Sequence, residues 1–171
     1  MIQAPDDIYL ALQRQLYYEA RILSAAQYDE WLTMLADNIK YSMDMPQRRF
    51  IEDKSTATRA PRKTPIFDDD MAAIKMRIER FKTGFVWAEN PINAIRHIIS
   101  NVEVFETEVE DEFAVYSIIE VHRSRLDAER KRLTAGRRDR WRVSGTEFKL
   151  VERTATLDDG VVLDSNINFF F

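Results

Sequence analysis

Glu112-Phe113-Ala114-Val115-Tyr116-Ser117-Ile118-Ile119-Glu120-Val121-His122-Arg123-Ser124-Arg125-Leu126 is the stretch that decides the fold. It is rich in β-branched and aromatic residues and holds neither proline nor glycine, so it reads as one long strand. One face carries Phe113, Val115, Ile119 and Val121; the other carries Ala114, Tyr116, Ile118 and Leu126. A half-exposed antiparallel strand alternates apolar and polar residues more cleanly than this. A sheet built on it therefore needs cover on both faces.

Residues 96–109, 132–144 and 146–157 are strands of the same kind. Their separators are short: Glu110-Asp111, the charged stretch 127–131, and Ser144-Gly145. Short separators predict antiparallel hairpins. Within 146–157 the apolar phase shifts from Phe148 and Leu150 to Val151, Ala155 and Leu157, which predicts a bulge and a bend. Asp158-Asp159-Gly160 makes a further turn before a last strand-like segment, 161–171.

The first half is helical. Ile8, Leu12, Leu16, Ala20 and Leu23 form one apolar stripe over 5–26, and Asp6 and Asp7 sit where carboxylates complement the helix dipole. A short helix over 28–36 and a short strand over 39–45, stopped by Pro46, follow. Asp68-Asp69-Asp70 open the clearest helix, with Met71, Ile74, Ile78, Phe81 and Phe85 at helical spacing. Gly84 is its stop signal, and 87–91 is a turn. Between these segments, 46–67 holds Pro46, Pro61 and Pro65 among basic residues and keeps no period. So long a loop in a compact domain is expected to lie on a partner.

Helices first and a strongly curved antiparallel sheet after them predict one α+β domain over 1–171. The helices suffice for the concave face alone. The other face is expected to be buried by a partner subunit.

Composition narrows the chemistry. The chain is 45% hydrophobic and 32% charged, as globular proteins are. The net charge of −4 argues against nucleic acid. No apolar run approaches the roughly 18–20 residues of a membrane span, and no signal peptide is visible, so a cytoplasmic protein is expected. There is no phosphate-binding glycine loop, no metal-ligand spacing and no nucleophile motif.

Between Arg123 and Arg142 nine basic residues face three acids, while Glu103–Glu112 holds six acids and no base. The run could bind an anionic ligand or nucleic acid. With an acidic segment next door, ion pairing between strands and with a partner subunit is the favoured reading, since arginine pairs carboxylates bidentately. Arg123, Arg125, Arg137, Arg138, Arg140 and Trp141 are the interface candidates. His97 and Asp44, both on strand candidates, could instead meet as a catalytic pair. The aromatic end, Phe169-Phe170-Phe171, either completes the chain's own core or packs across a subunit contact.

Several runs taken together resemble the small (beta) subunit of bacterial aromatic-ring-hydroxylating dioxygenases. They are Asn90-Pro91 leading into Arg96-His97-Ile98-Ile99-Ser100-Asn101-Val102, Val121-His122-Arg123-Ser124-Arg125, Gly136-Arg137-Arg138-Asp139-Arg140-Trp141-Arg142, Val162-Leu163-Asp164, and Asn168-Phe169-Phe170-Phe171. The resemblance spans residue 8 to the end. It implies a cystatin-like, scytalone dehydratase-like cone. It also implies a non-catalytic structural subunit in a hexamer of three alpha and three beta chains, with ferredoxin and reductase as separate components. The Rieske 2Fe-2S cluster and the mononuclear iron would lie in the alpha subunit. The residues agree independently: a Rieske centre needs two cysteines and two histidines, and this chain has no cysteine and only His97 and His122. The competing reading is a stand-alone cone-fold dehydratase or isomerase working through Asp44 and His97.

Overall fold

The computed structural model describes residues 1–44, 65–83, 94–125, 129–158 and 169–171. In chain order these form α1 (Asp6–Ser24), α2 (Tyr28–Thr33), β1 (Leu35–Asp44), β2 (Phe67–Asp69), α3 (Met71–Lys82), β3 (Ala94–Glu106), β4 (Glu112–Arg125), β5 (Glu129–Ser144) and β6 (Glu147–Leu157). Gly84, the turn at 87–91 and most of the 46–67 loop lie outside the described residues.

α1 takes its expected stripe inward. Leu12, Leu16, Ala20 and Leu23 are buried, and the helix lies along β3. Asp70 caps α3, its carboxylate accepting from the Ala73 N–H at 2.8 Å, a contact worth about 1 kcal/mol. Asp68 and Asp69, expected to open that helix, instead belong to β2, which pairs with β1. β1 begins at Leu35, so the helix expected over 28–36 ends early at Thr33.

The described strands form one open sheet in the order β2-β1-β6-β5-β4-β3. β3 to β6 form the expected antiparallel meander. β1 departs from it by running parallel to β6. Hairpins force neighbours to alternate, but no hairpin joins β1 to β6, so its direction is free. Residues 2–4 run along the outer edge of β3: the Ala4 N–H donates to the Val104 carbonyl, and the Glu106 N–H to the Ile2 carbonyl. That covers an edge otherwise open to further pairing.

The bulge expected from the phase shift is present. Trp141 faces Leu150 and Arg140 faces Glu152, which leaves Val151 as the extra residue. Leu150 and Val151 are consequently both buried. A second bulge, without a sequence signal, sets Asn101 and Val102 against Ser117, with Asn101 in the left-handed region at φ 51°. Both bend the sheet around the helices.

The faces now separate. On β4, Val115, Ser117, Ile119, Val121 and Arg123 point inward and are buried. Ala114, Tyr116, Ile118, Glu120 and His122 point outward and are half-buried or exposed. The buried residues of α1, α2 and α3 join the inward side chains of the sheet and Phe169–Phe171 in one core.

Candidate functional site

β5 distributes its charges by parity. Leu133, Ala135, Arg137, Asp139 and Trp141 are buried, while Arg130, Arg132, Arg138 and Arg140 alternate with them on the exposed side. The arginine run is therefore two structures, one inside the fold and one outside.

The inner structure is a four-charge cluster. Arg153 on β6 is fully buried and has all five of its N–H groups engaged. Nε donates to Asp139 Oδ1 at 2.8 Å and Nη2 to Asp139 Oδ2 at 2.7 Å. Nη1 donates to Glu19 Oε1 at 2.7 Å and Nη2 to Glu19 Oε2 at 2.9 Å. The last N–H reaches the main-chain oxygen of Phe171 at 2.9 Å. Trp31 Nε1 adds a donor to Glu19 at 2.9 Å, and Trp141 Nε1 one to Asp139 at 3.3 Å. Arg137 Nη2 lies 3.2 Å from both carboxylates without hydrogen-bond alignment, so it balances their charge rather than completing the network.

Two carboxylates and two guanidiniums cancel. Burial works to raise the Glu19 pKa, but Arg153 and then Arg137 overcome it and hold the carboxyl at about 2. For Arg153 burial likewise opposes the charge, and Asp139 and Glu19 override it, raising its pKa. Isolated buried charges would be expensive; this set is closed on itself.

His97 lies beside the cluster on the inner side of β3 and is buried. Burial lowers its pKa to about 4, so the ring is neutral at pH 7. Its Nε2 is 2.9 Å from the Phe170 carbonyl, which can only accept, so the proton sits on Nε2. Nδ1 lies 3.1 Å from Ser24 Oγ, which accepts from the His97 main-chain N–H at 2.9 Å and donates its own proton to the Ala20 carbonyl at 2.7 Å.

These placements revise the sequence expectations residue by residue. Asp44 sits on the outer side of β1, out of phase with the buried Tyr41 and Met43. His97 points inward with its Nε2 on the Phe170 carbonyl. The two share no site, and the catalytic pair does not form. Arg123, Arg137 and Trp141, expected at an interface, are buried within this chain, because they fall in phase with the core residues of β4 and β5. Arg125 ends β4 opposite Glu129. Arg138 and Arg140 do reach the surface.

The outer structure is open. Arg140 lies 3.7 Å from Glu112 and from Glu152, Arg142 2.7 Å from Glu112, and Arg132 3.9 Å from Glu120. Ion pairing between neighbouring strands is thus realised, with Glu112 as the described member of the acidic segment that takes part. The Arg138 guanidinium stands over the Tyr116 ring, which packs edge-on against Phe105. Ile98, 46% exposed, and Ile118 extend the apolar strip beside these arginines.

Neither iron group fits this chain. With no cysteine it cannot hold a Rieske cluster. Its two histidines cannot join on one iron, since His97 points inward and His122 outward, where it meets Glu120 at 3.1 Å. Among the described residues no group of three or more His, Asp or Glu side chains is placed to hold a metal ion, and no helix is long and apolar enough to cross a membrane.

Comparison with known proteins places this geometry. A family model described as "Ring hydroxylating beta subunit" matches residues 18–164. Benzene 1,2-dioxygenase subunit beta from Pseudomonas putida is 35% identical over 176 residues, covering 99% of this chain and 94% of the relative. Among solved structures, naphthalene 1,2-dioxygenase superposes with a TM-score of 0.88 at 19% identity, over 98% of this chain and 88% of that one. A putative scytalone dehydratase from Novosphingobium aromaticivorans superposes with a TM-score of 0.63 at 15% identity, over 87% and 83%. The expected cone is therefore the fold.

Proposed function

This chain belongs to the ring-hydroxylating beta-subunit family, the beta subunits of aromatic-ring-hydroxylating dioxygenases, and from that premise we propose that its part in the oxidoreductase is structural. An alpha subunit is the partner that a beta subunit implies. The proposed complex holds three of each in the cytoplasm, with the Rieske cluster and the mononuclear iron in the alpha subunits. Reductase and ferredoxin components would deliver the electrons of NADH. The net reaction joins an aromatic compound, O2, NADH and a proton to give a cis-dihydrodiol and NAD+.

The observation that carries the structural role is the outer face of the sheet, which none of the described helices covers. Ile98, Ile118 and Tyr116 form an apolar strip, and Arg138 and Arg140 stand beside it. Covering the strip would supply affinity, and the arginines would supply orientation and partner choice. Of the six residues expected at the interface, Arg123, Arg137 and Trp141 leave that assignment, and Arg125, Arg138 and Arg140 keep it as proposed contacts. The 46–67 loop is proposed as a second contact.

The test is the native mass of the complex that this chain, carrying an affinity tag, brings out of its own host cells. Three copies with three copies of a larger iron-bearing chain are expected. A homo-oligomer with no second polypeptide would overturn the proposal.

A further inference from the structure

Phe169, Phe170 and Phe171 sit in the chain's interior as a ligand sits in a receptor. They belong to no helix or strand, yet none is more than 2% exposed. Main-chain groups in regular structure are met by other main-chain groups. Here side chains meet them. The Phe171 N–H donates to Tyr41 Oη at 2.7 Å, and the Phe171 oxygen accepts from Arg153 Nη1 at 2.9 Å and Tyr41 Oη at 3.2 Å. The Phe170 carbonyl accepts from His97 Nε2 at 2.9 Å, and the Phe169 carbonyl from Arg77 Nη2 at 3.5 Å. These partners stand on β1, β6, β3 and α3.

The Phe170 ring is caged as well. Its centroid lies 4.5 Å from Trp31, 5.8 Å from Tyr41, 5.9 Å from Tyr28 and 6.1 Å from Phe81. The Arg77 guanidinium covers it at 4.6 Å. The donors are fixed by groups outside the tripeptide: Arg153 by Glu19 and Asp139, His97 by Ser24, and Arg77 by Asp69 at 2.5 Å. A site held this way is pre-organised for its occupant.

We propose that the inner side of the cone is a recognition site for a short aromatic peptide, that Phe169–Phe171 is its resident ligand, and that the same site accepts this segment as a separate molecule. The proposal goes beyond the structural role and does not depend on which partner covers the outer face.

The first test uses the intact chain. Native-state hydrogen exchange is expected to show the Phe171 amide opening by a local event, roughly tenfold or more faster than the inner-face amides of β4. A Phe171 amide that exchanges only with global unfolding would overturn the proposal. The second test stops the chain after Asn168 and adds a labelled tetrapeptide, Asn-Phe-Phe-Phe. Saturable binding with a rise in Tm is expected, weakened roughly tenfold or more when alanine replaces the peptide's Phe170 equivalent. A truncated chain that folds but binds no peptide, or that stays unfolded at high peptide concentration, would also overturn it.

Discussion

Arg137 and Arg138 are neighbours in sequence and inhabit different solvents. Arg137 is 2% exposed and faces two carboxylates across a water-excluding core. Arg138 is exposed and rests on the ring of Tyr116. The histidines repeat the contrast: His97 is buried and held neutral, whereas His122 lies outside against Glu120. The same side chain therefore serves internal architecture on one face of the sheet and meets solvent on the other. What separates the two roles is the period-2 alternation of a strand, not the residue type.

The contrast breaks most visibly at Arg153. Arg153→Met leaves Glu19 and Asp139 buried with one guanidinium between them and is expected to cost about 3–5 kcal/mol in urea unfolding. A loss under about 1 kcal/mol would mean that the cluster is wet and the inside–outside distinction is wrong.

Acid sharpens it next. His97 is neutral when folded and titrates at about 4, below its ordinary value of 6.5. The unfolded chain therefore binds the extra proton first, and stability falls as pH drops from about 6.5 to about 4, by roughly 3 kcal/mol at most. Glu19, held at about 2, adds a separate loss below about 4.5, where the unfolded carboxyl protonates before the folded one. His97→Gln should abolish the upper loss and leave the lower one. A stability profile unchanged by that substitution would remove His97 from the account.

The smallest effect on folding belongs outside. Arg138→Glu should alter the stability of the isolated chain by no more than about 1 kcal/mol. Its consequence should appear in assembly with the alpha subunit, as weaker affinity with a changed salt dependence. A complex of unchanged affinity and salt response would remove Arg138 from the interface.

Local pattern carried much of the architecture. The α1 stripe, the β3–β6 meander and the bulge at Val151 all follow from spacing and phase. The parallel pairing of β1 with β6 does not, because nothing local encodes which distant strand fills an edge. Nor does β2, whose three residues look like the acidic start of a helix. The buried cluster had a signal that the arginine run concealed. Arg137 and Asp139 are in phase with Leu133, Ala135 and Trp141, and Glu19 follows Leu12 and Leu16 on the apolar stripe of α1. Charged residues in phase with a core are candidates for burial as a neutralised set. Their identity as one set appears only when α1 meets β5 and β6. The failure of Asp44 and His97 as a pair has the same origin, since two strand residues meet only if their parities place them on one face.

The parallel pairing also bears on how the chain reaches this state. Ser42 meets Thr154 across 112 residues, Tyr41 meets Phe171 across 130, and Glu19 meets Arg153 across 134. Such contacts require closing long loops before they return any stabilisation, which slows folding. The β3–β6 hairpins can form early and locally. The helical segment, its apolar stripe uncovered, must then wait until α1 closes onto β3 and the three phenylalanines fold back into the core. During that interval the chain is most open to aggregation, so the rate of this closure, more than the final stability, should set how much of it survives to meet a partner.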